Sequence, residues 1–196
     1  MPKLKKIDES KYIYAVSRIR AIEKRLLDKV KLDRMVEAKS ADESLKVLLE
    51  AGYGSGDGDI KSVFEYENIL KEEHKKVYSL LNELAPKQET INMFLLSNDY
   101  HNVKVILKAE FSEQDETSLL IEPGSIPVSE LKLMIKDRNM SKMPSIMRKA
   151  VEEAIDTYSR TNDPQVIDLI LDKANYVHMK SISDSLDNKF INELVV

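Results

Sequence analysis

The chain has no cysteine among its 196 residues. It can therefore form neither disulfides nor thiolate–metal bonds, and it offers no thiolate nucleophile. It also lacks any run of about 18 consecutive apolar residues, so no segment is expected to span a bilayer. Lys and Arg (30) nearly balance Asp and Glu (34), and the net charge of −4 gives no basic footprint for nucleic acid. The charge balance therefore identifies no partner.

Glycine is scarce, and four of the 5 glycines stand at alternate positions from Gly52 to Gly58. A phosphate-binding loop would need a Lys followed by Ser or Thr after the glycines, at the start of a helix. Here Asp57 and Asp59 place carboxylates where a phosphate would lie. A flexible, Gly-rich loop over residues 52–59 is therefore the favoured interpretation.

Apolar residues elsewhere recur at steps of three and four, which is the period of a helix rather than of a strand. The sequence therefore predicts an all-α fold with no sheet. Ser40 and Glu43 form a predicted capping box, and Gly52 ends that helix. Helices are expected over residues 11–27, 32–38, 41–51, 63–84, 89–111, 129–137, 145–160 and 164–196.

Two of these helices carry more detailed expectations. The helix over residues 63–84 is predicted to bury Val63, Tyr66, Leu70, Val77, Leu80 and Leu84. The helix over residues 89–111 is predicted to break, or to be capped again, at Ser97–Asn98–Asp99. The expected domains are an N-terminal helical subdomain over residues 1–111, a loop over residues 112–128, and a second helical subdomain over residues 129–196.

The three histidines do not stand in metal-binding patterns. A di-iron site in a helical bundle uses Glu-x-x-His pairs, but Lys71, Asn98 and Asn175 precede His74, His101 and His178 by three residues. No His-Glu-x-x-His segment occurs either. We therefore predict no catalytic residue, no cofactor and no metal site, although acid–base chemistry by carboxylates alone stays open.

Polar side chains are concentrated in Asn98-Asp99-Tyr100-His101-Asn102, between two apolar runs. They could form a functional site. The favoured alternative is structural: Asn98 or Asp99 caps a helix, and His101 and Asn102 join neighbouring helices through buried hydrogen bonds.

A basic cluster lies on the first predicted helix and consists of Arg18, Arg20, Lys24 and Arg25. A solvated face whose charges pair with nearby carboxylates is the favoured interpretation. The alternative is a docking surface for an acidic partner.

Three stretches resemble the C-subunit family of V-type and A-type ATP synthases, whose member in the eukaryotic vacuolar enzyme is called the d subunit. Residues 14–27 are similar to the family's opening segment, with Ser17 where Ala is common. Residues 98–109 are similar to its Asp-x-His-Asn segment, and residues 119–126 to its Pro-Gly loop. The matching positions, which we interpret as structural, are Tyr14, Arg18, Arg20, Asn98, Asp99, His101, Asn102, Pro123 and Gly124.

The resemblance implies a funnel-like array of three-helix-like units without an active site. Such a protein lies on the membrane rotor ring, holds the foot of the central shaft and transmits torque between them. It is peripheral on the cytoplasmic face, attached by protein contacts and not inserted, and it binds no nucleic acid. The resemblance leaves open whether the ion is a proton or sodium.

Two other classes of protein are alternatives. A helical scaffold or adaptor unrelated to ATPases would show a repeat of fixed period, and no clear repeat is present. A helical-bundle enzyme is opposed by the missing Glu-x-x-His pairs.

Members of the family are longer, with further helices and another Asp-x-x-Asn segment. The chain's last residues, including Phe190, Leu194 and Val196, are apolar with no stop signal after them. A C-terminally incomplete chain is therefore expected, and a final helix docked on the core is the alternative.

Overall fold

A computed structural model describes residues 9–54, 66–115, 117–186 and 188–195. Within these ranges every regular element is helical, which confirms the all-α prediction. Short 3-10 turns lie at Glu9–Tyr12 and Thr117–Leu119. The α-helices are α1 (Ile13–Glu23), α2 (Lys29–Val36), α3 (Ala41–Glu50), α4 (Tyr66–Leu84), α5 (Gln88–Ser112), α6 (Val128–Lys136), α7 (Ser145–Thr161), α8 (Gln165–Ser185) and α9 (Lys189–Val195).

The chain divides into two compact units between Pro86 and Lys87. The first unit contains α1–α4 and the second contains α5–α9. The sequence placed the division later, with residues 1–111 before the 112–128 loop and residues 129–196 after it. In the structure α5 packs against α6 and α8, so it is grouped with the helices that follow it.

In the first unit, α2 and α3 pack on each other. The cap and the stop of α3 lie at the residues that the sequence predicted. The Ser40 hydroxyl accepts the Glu43 N–H at 3.2 Å, and the Glu43 carboxylate accepts the Lys39 N–H at 2.9 Å. The helix then ends before Gly52, which has φ +86°. Leu45, Leu48 and Ile69 form the buried core of this unit.

The first and fourth helices differ from their predictions. The helix predicted over residues 11–27 is shorter, since α1 covers only Ile13–Glu23 and buries only Ala15. In α4 the predicted face is only partly right. Leu84 is buried as predicted, but Tyr66, Leu70 and Val77 are 45%, 48% and 50% exposed, and Ile69 is buried instead. Val63, also predicted to be buried, lies outside the described residues. Apolar residues stand on more than one side of α4, and packing against α3 selects the side of Ile69.

The second unit has a larger core, in which α5 and α8 pack on each other and α7 packs on α8. Side chains from α5 to α8 interdigitate there without exposure to water, as expected of a close-packed interior. The completely buried apolar residues of this core are Val103, Leu107, Leu131, Ile135, Met147, Val151, Ala154, Ile167 and Leu171.

Several helix ends in the second unit differ from prediction. The break expected at Ser97–Asn98–Asp99 is absent, because α5 is continuous from Gln88 to Ser112. Ser129 does not cap α6, which begins at Val128 directly after Pro127. The predicted start of α8 is confirmed within one residue, with the Asp163 carboxylate accepting the Gln165 N–H at 2.9 Å.

The final helix also differs from the sequence expectation. The helix predicted to continue from residue 164 to the end is interrupted, since α8 ends at Ser185 and α9 begins at Lys189. The Asn188 side chain accepts the N–H groups of Phe190 at 3.0 Å and Ile191 at 3.3 Å, which starts the new helix. None of the described helices is both long and apolar enough to cross a membrane.

Candidate functional site

The polar residues of α5 hold the loop that precedes α6. Asn98 and Asn102 are one helical turn apart, so their side chains share a face. The Asn102 amide donates to the Ile121 carbonyl and accepts the Ile121 N–H, both at 2.8 Å. The Asn98 amide donates to the Pro123 carbonyl at 2.8 Å. These two amides therefore replace the backbone partners that an irregular loop segment would otherwise lack.

The Asp99 side chain is completely buried and receives the next part of the same loop. One carboxylate oxygen accepts the Ser125 N–H at 3.1 Å and the Ser125 hydroxyl, and the other accepts the Ile126 N–H at 3.2 Å. Burial raises the pKa of Asp99 above its usual value, although these hydrogen bonds lower it. The carboxylate thus serves as an acceptor for two successive backbone groups.

His101 completes the cluster at the beginning of the loop. Its Nε2 lies 2.9 Å from the Leu119 carbonyl, and since a carbonyl only accepts, this nitrogen carries the proton. We call Asn98, Asp99, His101, Asn102 and the backbone of residues 119–126 the anchor cluster. Each of its four side chains contacts the loop.

Pro123 and Gly124 both contact the α5 side chains of this cluster. The Glu122–Pro123 peptide bond is cis, and the Pro123 carbonyl is the acceptor for Asn98. Gly124 lies directly against Asp99, where a larger residue has no space. The structure therefore brings together six of the nine positions that carry the family resemblance.

The geometry corrects two expectations about these side chains. Asn98 and Asp99 cap no helix, because they lie in the interior of α5. His101 and Asn102 hydrogen bond to the loop and not to a neighbouring helix. In the described part of the chain, no group of three or more His, Asp or Glu residues could hold a metal ion. What this arrangement does chemically is to fix the path of the loop on α5.

The remaining three positions lie in the first unit. Tyr14 is 68% exposed and Arg18 is also exposed. Arg20 pairs with Glu23 at 2.8 Å. Within the described ranges, Arg18, Lys24 and Arg25 have no ion pair, so the expected pairing of the basic cluster holds for Arg20 alone.

The Gly-rich loop of residues 52–59 lies mostly outside the described residues. At its described start, the Gly54 N–H donates to the Glu73 carboxylate at 3.0 Å, and Lys76 binds the same oxygen at 2.6 Å. Burial raises the pKa of Glu73, but the hydrogen bonds from Lys76 and Gly54 and the charge of Lys76 outweigh it, so the net shift is downward.

The sequence did not predict a buried polar pair between α5 and α8. The Tyr100 hydroxyl lies 3.3 Å from His178 Nδ1, and the two rings meet edge to face. Burial lowers the pKa of His178 and raises that of Tyr100. His178 continues the buried stripe of Ile167, Leu171 and Ala174 at helical spacing, and this signal could have indicated a core position.

Two ion pairs on the surface also join α5 to α8. Lys104 lies 2.7 Å from Asp172, and Lys108 lies 2.6 Å from Asp168. Both lysines and both aspartates are spaced by four residues, so the two pairs lie side by side. Such exposed pairs contribute only about 0–1 kcal/mol each to the free energy of unfolding. Their geometry favours the observed alignment of the two helices.

Comparison with known proteins identifies the family. The sequence pattern of the family described as ATP synthase (C/AC39) subunit matches residues 15–196, which include the anchor cluster and, on α1, Arg18 and Arg20. The chain belongs to this family. Its resemblance to the C subunits of these enzymes, noted from the motifs alone, is thereby confirmed.

Curated members of the family show the same relationship. The chain is 26% identical over 181 residues to the C subunit of the A-type ATP synthase of Methanocaldococcus jannaschii, covering 85% of this chain and 45% of that protein. It is 26% identical over 170 residues to the C subunit of the V-type sodium ATPase of Enterococcus hirae, covering 86% of this chain and 51% of that protein. The chain thus spans about half the length of the curated relatives that it matches.

Proposed function

We propose that this family member is a non-catalytic part of a rotary A/V-type ATPase or ATP synthase, in which it couples the membrane rotor ring to the central shaft. The observation that carries the proposal is the family match over residues 15–196. The relatives are named as C subunits of an A-type ATP synthase and of a V-type sodium ATPase.

The close packing of the second unit supports the coupling role. A body that transmits torque must not deform under load, and closely packed interiors have low compressibility. The helix α5 has 25 residues and is about 37 Å long at 1.5 Å per residue. Its buried side contacts the core, and its polar side chains fix the loop before α6. The loop before α6, which has no regular structure to hold it, is thereby fixed to the helix α5.

The proposed partners are the central-shaft subunits and the membrane rotor ring. The proposed location is the cytoplasmic face of the membrane, with attachment through protein contacts. The proposed role includes no cofactor, no metal and no catalysis by this chain. A helical scaffold unrelated to ATPases gains no support from any observation on the described residues, and family membership argues against it.

Binding to purified partners tests the proposal. The chain, and a version extended to the length of its relatives, would be mixed with the shaft subunits and with the detergent-solubilised ring from the same source. Complexes would be measured by size-exclusion chromatography and mass photometry. We expect the extended version to bind both partners in defined stoichiometry.

The outcome that contradicts the proposal is equally clear. If the extended version is folded by circular dichroism and binds neither the shaft nor the ring, the coupling role is wrong. Binding to only one partner would leave a member of the complex without the coupling role, and that result would also overturn the proposal.

A further inference from the structure

A groove runs between α7 and α8 within the second unit. The two helices are joined by residues 162–164 and pack along their length as a helical hairpin. The groove has a volume of about 510 Å³. Its lining includes Ile146 and Ala150 from α7, and Ile170, Ala174 and Val177 from α8.

The floor of the groove is small and apolar. Ala150 and Ala174 are 5% and 9% exposed, one from each helix. With no side chain beyond Cβ, these residues leave space between the two helices. A third helix could therefore place its own side chains in the depression, in the manner of ridges packing into grooves.

One side of the groove exposes large apolar side chains at helical spacing. Leu169 is 71% exposed and Val177 is 50% exposed, and both line the groove. Ile170, Ala174 and Val177, which line the groove, stand at positions i, i+4 and i+7 of α8, so they form one apolar stripe with Leu169 beside it. Single exposed apolar side chains are ordinary, but a continuous apolar strip with a polar border is typical of an interaction site.

The charges along the groove are mainly positive. Lys149 from α7 and Lys173 from α8 line it, and both are exposed. Neither lysine has an ion pair among the residues that the structure describes, although Lys104, Lys108 and Lys180 in the same unit each have one. Glu153 is the one carboxylate in the lining. A ligand that complements this border carries negative charge on both sides of an apolar ridge.

We propose that the α7–α8 groove binds one amphipathic α-helix of a partner protein. The apolar ridge of that helix lies over Ala150 and Ala174, and its acidic residues pair with Lys149 and Lys173. Recognition of this kind uses apolar anchors at i, i+3 or i+4, and i+7, with flanking charges that set specificity. The groove is a binding surface in addition to the proposed coupling role, and it does not depend on that role.

Two designed helical peptides of 21 residues provide the probe. Both carry the same ridge of Leu and Ala, but one has Glu at the flanking positions and the other has Lys. Their binding to the 196-residue chain would be measured by fluorescence anisotropy at low salt. We expect the Glu-flanked peptide to bind at least about tenfold more tightly, which corresponds to about 1.4 kcal/mol from two flanking ion pairs.

Charge reversal gives the matched control. The double variant Lys149→Glu/Lys173→Glu should reverse the preference between the two peptides. The double variant Lys136→Glu/Lys142→Glu makes the same change in net charge at exposed lysines of the same unit outside the groove lining, and it should keep the original preference. Equal effects of the two double variants would show a general charge effect and overturn the proposal.

A second pair of variants tests the apolar strip. Leu169→Glu should weaken the Glu-flanked peptide at least about tenfold. Leu133→Glu on α6, where Leu133 is 60% exposed, should leave binding unchanged. Circular dichroism checks that each variant is folded. If the chain instead forms a dimer that Leu169→Glu abolishes, the groove belongs to a second copy of this chain, and the proposal is wrong.

Discussion

Gly124 packs so closely on Asp99 that a β-carbon at residue 124 would lie 2.2 Å from Asp99 Oδ1. The same β-carbon would lie 3.1 Å from the Ile126 carbonyl oxygen. The requirement for glycine here comes from space, because the buried carboxylate has come close to the loop backbone to accept the N–H groups of Ser125 and Ile126. Asp99 and Gly124 therefore act together to hold the loop backbone.

Gly124→Ala is the first test of the contact between Gly124 and Asp99. The added methyl group must displace either the loop or the Asp99 carboxylate, so hydrogen bonds of the anchor cluster lengthen or break. We expect the free energy of unfolding to fall by about 1–3 kcal/mol, as for other overpacking substitutions. Urea denaturation followed by circular dichroism measures the change.

A double-mutant cycle identifies the cause of that loss. In an Asp99→Ala background the carboxylate is absent, so Gly124→Ala should cost at least about 1 kcal/mol less than in the wild-type chain. Additive costs would mean that the glycine is required for a reason other than its contact with Asp99.

The second prediction concerns how His178 makes the stability of the chain depend on pH. Burial lowers the pKa of His178 in the folded chain, so the unfolded chain binds more protons near the usual histidine value of 6.5. Stability should therefore fall as the pH drops from 7 towards 5. His178→Gln removes this contribution, and its urea midpoint should change less over that interval.

Comparing the urea midpoints of wild type and His178→Gln at each pH removes the contributions of the other titrating groups, which both chains share. Parallel pH profiles for wild type and His178→Gln would contradict the assignment.

The third prediction concerns Glu73, which joins the start of the glycine-rich loop to α4. Its net pKa is lowered in the folded chain, so its stabilising contribution is present above the usual value of 4.5 and is lost as the pH falls through the folded value. Glu73→Gln should cost about 1 kcal/mol at pH 7, the scale of one hydrogen bond. The cost should shrink in acid, as measured by urea denaturation at pH 7 and pH 3.

Lys76→Gln provides the comparison for Glu73. It removes the ion pair but leaves the bond from Gly54 to Glu73, so it should cost less than Glu73→Gln at neutral pH. A larger cost for Lys76→Gln would show that the lysine, and not the loop, is the important partner.

The fourth prediction concerns the basic residues of α1. Arg18 and Arg25 are exposed, and no ion pair involves them within the described ranges. Arg18→Glu/Arg25→Glu should change the unfolding free energy by less than about 0.5 kcal/mol per site. If α1 docks on an acidic partner, as the proposed function allows, the same variant should lower the affinity for the shaft and ring at least about tenfold.

Lys29→Glu/Lys39→Glu reverses two exposed charges in the same unit and serves as the control for the α1 variant. It should leave binding to the shaft and ring unchanged. Equal affinities for the two double variants would assign Arg18 and Arg25 to an ordinary solvated face.

Local signals predicted some elements correctly because their causes lie within a few residues. The Ser40 cap, with Glu43 reaching back to the Lys39 N–H, and the stop at Gly52 depend only on neighbouring backbone groups, and both are present. The break predicted at Asn98 and Asp99 is absent because its cause is not local. Such side chains interrupt a helix when they bond to their own backbone, but here a distant loop occupies them.

The composition of the anchor cluster could be predicted, but its geometry could not. The resemblance singled out Asn98, Asp99, His101, Asn102, Pro123 and Gly124 as structural positions. Which atoms meet depends on how a loop 18 to 27 residues further along the chain folds back on α5. The buried side of α4 was unpredictable for the same kind of reason, since Ile69 is selected by its contacts with α3.

Within the anchor cluster, the loop residues tolerate substitution better than the α5 residues do. On α5 the contacts are made by side chains, whereas the loop contributes main-chain atoms in every described hydrogen bond except that of the Ser125 hydroxyl. Leu119 and Ile121 can therefore be substituted by other residues without loss of these hydrogen bonds. The helix residues have no such freedom. A family can then diversify the outer surface of this loop while its course over α5 stays the same.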